Sequence, residues 1–306
     1  MSYLTISVIA PIALVVAPLA LLLGAQRPTR RDAATAVVLA VAVVWVSLGP
    51  ADGFAQLVRA WMVLLTASLA IVVASGRASG FMSTALTAVS GAFGAAFVLA
   101  LITRLSWGKV VWMAERYYGA IASSLIQTVA AALPAGATPA AGGPDLVATF
   151  QTSLLAIVRL VSSLFPGLVL LQSFAALALA WALYHRLGQR PQGEPLGALA
   201  SFRFNDHLIW GVAGSLLVLV VPRLGWINAL GGNLLVFFSG LYIVRGVAVL
   251  SAAAAAGVIG GPIAILAATF LTLFLMPVAA LGALALGLTD TLMDWRRRLA
   301  RAVPKP

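Results

Sequence analysis

The sequence predicts an all-α protein, a polytopic transmembrane helix bundle of about seven to nine spans. Three observations point there. Apolar residues make up 62% of the chain and charged residues 9%, far from the mix of soluble globular chains. Several apolar runs reach the roughly 20 residues a helix needs to cross a bilayer core. Almost every charge lies at the end of such a run, and Arg159 and Arg245 are the exceptions that fall well inside one.

The spans follow in order. Residues 4–23 form the first and end at Arg27, Arg30 and Arg31. Residues 33–48 form the second, closed by Gly49-Pro50. Residues 57–74 form the third, with Trp61 near an interface, and 81–103 the fourth, where Gly91 and Gly94 allow close helix contact. Next comes SWGKVVWMAERYYG over residues 106–119, aromatics beside charges, a pattern of the membrane–water boundary. Residues 147–165 carry Gln151, Ser153, Arg159, Ser162 and Ser163, too polar for a helix wholly in lipid. Residues 104–165 therefore read as helices lying on one membrane face, with two further spans as the alternative. Residues 166–187 are a clean span, opened by a proline that suits a helix start. Residues 207–221 and 234–256 follow. The last run, 258–288, is too long for one upright span and contains Pro277. The expected organisation is a four-span bundle at 1–103, extracytoplasmic or interfacial helices at 104–165, and a span bundle at 166–306.

The arginines orient these spans. With Arg27, Arg30 and Arg31 in the cytoplasm, Arg77 and the loop from Arg186 to Arg203 are also inside, as the positive-inside rule asks. A single final helix would put Arg296, Arg297 and Arg298 outside, so the last run is expected to bend back as a hairpin through Pro277. The net charge of +11 fits this topology signal. It does not indicate nucleic acid, because the arginines are scattered over loops and form no basic stripe. Cysteine is absent, which excludes disulfides and thiolate chemistry. Two histidines, His185 and His207, cannot by themselves assemble a metal site. No catalytic or cofactor motif is present. The expected partners are the lipid bilayer, another membrane protein subunit, or a small-molecule ligand.

Arg245 is the leading candidate, because an arginine deep in a span is costly and usually faces the bundle interior or water. It serves either as an anion anchor, with Tyr242 one turn away, or as a structural partner of Asp206, Asp290 or Asp294. Gly246 beside it lets another backbone approach closely. Asn205 or Asp206 is suited to cap the helix that follows, and His207 is a proton-relay candidate. Asp290 and Asp294, four residues apart, share one helix face and precede Trp295 and Arg296, as an ion-paired interfacial end or a contact to lipid headgroups or a partner. Arg159 is expected to face headgroups.

Three segments carry a family resemblance. FRFNDHLIW at 202–210, LYIVRGVAV at 241–249 and LGLTDTLMDWR at 286–296 together resemble the YybS-like family of bacterial inner-membrane proteins, and Pro166 with a span ending at Leu187-Gly188 fits as well. The resemblance covers about residues 160–298; the first hundred residues match only as apolar spans. It implies a multi-pass inner-membrane protein, similar to substrate-binding membrane subunits of small-molecule importers. This chain departs from the family pattern by having Arg245 where glutamine is frequent and Leu292 where tryptophan is common. Two functions follow: a transport-type subunit with a concave pocket near Arg245, or a structural or assembly subunit that binds another membrane protein. An intramembrane enzyme lacks the paired acids or histidines it would need inside a span.

Overall fold

The computed structural model describes all residues except 1, 26–29, 48–52, 76–79, 133–145, 190, 192, 222–225, 258–274 and 303–306. The described residues are helical or loop, with no strand among them. The chain divides into two compact units, Met1–Gly193 and Glu194–Pro306, and each is described by itself.

The first unit contains α1 (Ser2–Ala25), α2 (Arg30–Ser47), α3 (Gly53–Ala74), α4 (Phe81–Ile102), α5 (Trp107–Ala132), α6 (Leu146–Ser163) and α7 (Phe165–Leu187). The bounds of α1 to α4 and α7 follow the apolar runs because an uninterrupted helix is the way such a run satisfies its own backbone out of water; α5 and α6 occupy the more polar region. α4 ends where the Thr103 hydroxyl donates to the Leu99 carbonyl, and Arg104 then takes a positive φ of 52°, which redirects the chain into α5. Pro166 lies in the first turn of α7. α1 packs on α2, α3 and α7, α3 on α4, and α5 on α6.

The interior of this unit is built mainly from leucine and alanine. Leu65, Leu69, Ala85, Ala88 and Ala180 are almost fully buried. Gly91 meets α3 so closely that a Cβ there would stand 2.4 Å from Ser68 Oγ, whereas Gly94 has open space; of the two expected contact glycines, Gly91 alone fills the role. Trp61 is not simply an interfacial anchor. Its indole N–H donates to Ser173 Oγ at 2.8 Å, and that hydroxyl donates to the Val169 carbonyl at 2.7 Å, so polar groups bind α3 to α7. At another point Phe54, Ala114 and Phe165 form a cluster with Tyr117 and Tyr118 against it. It joins α5 to α3 and α7, and Phe54 stacks on Tyr117 at 4.4 Å. Burial, with Tyr117 alongside, pushes the Tyr118 phenol above its ordinary pKa.

The second unit begins with an irregular segment holding two 3-10 turns, Leu199–Ser201 and Asp206–Leu208. α8 (Ile209–Val220), α9 (Trp226–Ala255), α10 (Met276–Met293) and α11 (Trp295–Ala302) follow. α8 and α9 run antiparallel: Gly211 abuts the Phe238 ring and Gly231 abuts Val218. α9 and α10 are also antiparallel and touch backbone to backbone. A Cβ on Gly246 would stand 1.8 Å from the Ala283 carbonyl oxygen, and one on Gly287 would stand 2.0 Å from the Tyr242 carbonyl oxygen. Small residues that let two helices approach this way are a membrane packing device.

Five described helices are long and apolar enough to cross a membrane: Gly53–Ala74, Phe81–Ile102, Phe165–Leu187, Ile227–Ala255 and Met276–Met293. Ile12–Gly24 and Asp206–Val220 are shorter apolar helices. α9 starts earlier than the apolar run suggested, at Trp226. Pro277 does not bend the middle of a helix: it sits in the first turn of α10, after a non-helical Leu275. The remainder of the expected hairpin, 258–274, lies outside the described residues.

The glycine crossing yields a test. Gly246→Val or Gly287→Val forces the α9 and α10 backbones apart, and overpacking of this kind costs about 1–3 kcal/mol or more. Thermal unfolding of the purified protein in detergent should show a clear loss of stability for both, and little change for Gly94→Ala, whose site is open.

Candidate functional site: a charged layer in the C-terminal unit

The layer forms where three antiparallel elements reach the same level. α9 carries Arg245 inward, α10 brings Asp290 opposite it, and the 3-10 turn at the start of α8 brings Asp206. The turn itself is set by Asn205, whose side-chain oxygen accepts the His207 backbone N–H at 3.0 Å. Asn205, rather than Asp206, is therefore the cap, and the Asp206 carboxylate is left for another partner.

That partner is Arg245. Its Nη1 donates to Asp206 Oδ1 at 2.6 Å and its Nε to Asp290 Oδ2 at 2.9 Å. The same Asp290 oxygen accepts from Arg296 Nη2 at 2.7 Å. Arg296 Nη1 also donates to the Phe202 carbonyl at 2.6 Å, which ties α11 to the segment before α8. Phe204 lies beside the guanidinium of Arg245, 5.2 Å from its ring centroid, and packs edge-on against Tyr242. Tyr242 and Asp290 are among the most deeply buried side chains of the protein. The Asp290 side chain has no exposure, and that of Arg245 has 4%; the Asp206 side chain is 64% exposed.

The sequence spacing suggested that Asp290 and Asp294 share one helix face. The structure corrects this. α10 ends at Met293, and Asp294 is the C-terminal cap in the left-handed conformation, φ 46° and ψ 59°. A short polar side chain tolerates that backbone better than most residues. The turn separates the two acids: Asp290 faces inward, while Asp294 pairs at the rim with Arg203 and Arg297. It also splits the terminal arginines. Arg296 points into the layer, and Arg297 and Arg298 are exposed, Arg298 lying over the Trp295 ring. The Trp295 indole donates to Thr289 Oγ1 at 3.2 Å.

The structure thus gathers Arg245, Tyr242, Asp206, Asp290 and Arg296 and sets Asp294 and Trp295 at the edge. His207 is exposed and contributes its backbone N–H. Arg203 and Phe204 take part although residue type alone did not single them out; the alternation of Phe202, Arg203 and Phe204 was the available signal, one aromatic turned into the core beside an exposed cation. Three buried polar atoms in the layer have no hydrogen bond of normal geometry: Tyr242 Oη, Asp290 Oδ1 and Arg296 Nε. Tyr242 Oη has Thr291 as a polar neighbour. Among the described residues no group of three or more histidine or acidic side chains is placed to hold a metal. Arg159 stands exposed on α6.

Arg245 is not an open anchor in this state, because carboxylates engage it on two sides. What the arrangement does chemically is hold two buried cations, Arg245 and Arg296, inside the unit, balanced by one deep carboxylate and one shallow one. Five long apolar helices, two of them carrying this layer, define the class as a helical membrane protein. The chain belongs to the family described as Predicted membrane protein (DUF2232), whose model matches residues 1–291. No curated protein and no solved structure matches it significantly.

The two acids of the last motif should behave very differently on substitution. Removing one partner of a buried ion pair typically costs about 3–5 kcal/mol, so Asp290→Ala, which leaves buried Arg296 without a carboxylate and Arg245 with Asp206 alone, should unfold the protein at markedly lower temperature. Asp294→Asn loses partly exposed pairs, worth on the order of 1 kcal/mol or less. Thermal melts of both variants in the same detergent check the ordering.

Proposed function

We propose that the protein is a transport-type subunit of a bacterial inner membrane, YybS-like and with about seven to nine spans, that binds a small anionic molecule in its C-terminal unit. On this reading α5 and α6 lie at the membrane face and the unit around Arg245 holds the ligand. One observation carries it. A fixed cation lies in a membrane helix, and its shallower counter-ion, Asp206, is largely exposed. Ionisable groups at such depth are expensive and as a rule mark ligand or ion pathways. The family resemblance to importer subunits agrees, and the change from glutamine to Arg245 suits an anionic ligand.

A second reading has its own support. Arg245 is already neutralised from within the chain, as in a structural rivet, and the protein would then be an assembly subunit that binds another membrane protein. Purification in mild detergent followed by mass spectrometry of bound small molecules and proteins separates the two. A small anion bound near one per chain supports the transport reading. A protein partner in fixed ratio with no small molecule supports assembly. The chain emerging alone, with neither, sinks both.

A further inference from the structure

The two carboxylates on Arg245 are held unequally. Asp290 is fully buried, sits on α10, and is also bound by Arg296. Asp206 is mostly exposed and sits on a three-residue 3-10 turn at the end of an irregular segment. Its neighbours Arg203, Asn205 and His207 are exposed too, a run of polar side chains that belongs in water. Asp206 can therefore swing away and remain hydrated, whereas Asp290 cannot leave without taking the one carboxylate from buried Arg296 and the deeper one from Arg245.

Withdrawing Asp206 changes the local charge. Arg245 and Arg296 would face the single carboxylate of Asp290, leaving the inner group one positive charge in excess. An incoming carboxylate would meet the Nη1 edge of Arg245, with Phe204 as an apolar wall alongside. The guanidinium fork is well matched to a planar carboxylate. α9 and α10 would hold still during the exchange, because their backbones are already in contact at Gly246 and Gly287.

We propose that Asp206 is a detachable counter-ion: it occupies the outer side of Arg245 from within the chain, and a small-molecule carboxylate takes its place there. This rests on reading Arg245 as an anion site and adds how the site is kept closed. An internal competitor weakens the apparent affinity by the fraction of time the site is free, so the site is closed and its charges balanced when no ligand is present.

The test uses the full chain in a neutral detergent, with acetate and succinate as probes and sodium chloride at matched ionic strength as control. Asp206→Asn should melt lower than wild type in chloride and recover saturably with either carboxylate. Wild type should need on the order of tenfold more probe for the same relative response. Arg159→Gln, a change on the exposed surface of α6, should titrate like wild type. A response of Asp206→Asn no greater than that to chloride, or identical titrations for the two proteins, overturns the proposal. Hydrogen exchange on wild type gives a reading that needs no variant. Succinate should increase exchange around residues 206–208 without changing α9 or α10, and no change at 206–208 also overturns it. Phospholipid phosphate, added as mixed micelles, should not substitute for the carboxylate; equal rescue by it would overturn the assignment of a small-molecule carboxylate. Rescue of Asp206→Asn by acetate, with no small anion in the natively purified protein, would reject the transport reading while leaving counter-ion exchange standing.

Discussion

The carboxylate of Asp290 holds the C-terminal unit together. One of its oxygens accepts from Arg245 on α9 and from Arg296 on α11. In a low-dielectric interior two guanidinium groups this close to each other are tolerable only with a shared anion between them. The inner charged layer is then hung from this point. Arg296, held in place, reaches the Phe202 carbonyl and fixes the segment before α8. Arg245, held in place, presents its remaining edge to Asp206 and fixes the turn that starts α8. Remove the carboxylate and both tethers lose their anchor at once.

The meeting of Arg245 and Asp290 depends in turn on residues with no side chain. α9 and α10 approach until a carbonyl from each lies where the other's Cβ would be, at Gly246 and Gly287. Only at that separation does an arginine two-thirds of the way along a 30-residue helix reach an aspartate near the end of the next one. Close packing, rather than hydrophobic burial, must supply the attraction between helices when lipid is the competing solvent. The glycines and the ion pair are thus two parts of one contact.

Much of this was legible in the residues, and the limits are instructive. Apolar runs located most of the helices because a membrane leaves the backbone few other options. Arg245 stood out because a charge in such a run is rare, and Asp206 and Asp290 were among the partners its chemistry allowed. The C-terminal turn was not legible. A spacing of four puts Asp290 and Asp294 on one face only if the helix continues, and a left-handed aspartate at its end is a local backbone choice with no apolar period to reveal it. The inward turn of Arg296 was hidden for the same reason: in the sequence it is one of three adjacent arginines, and the turn decides which of them points inside. Gly91 and Gly94 looked alike, and only the neighbouring helix distinguishes them.

The bare crossing of α9 and α10 also governs how the unit can move. Side chains between two helices act as a cushion, and their rotamers let helices slide past one another in small steps. Backbone against backbone has no such cushion, so these helices behave as one stiff post. Asp206 stands on the opposite kind of mounting, a three-residue turn after an irregular strand of chain. On the proposed exchange, Arg245 stays fixed between α9 and α10 while the Asp206 side chain alone leaves it and returns.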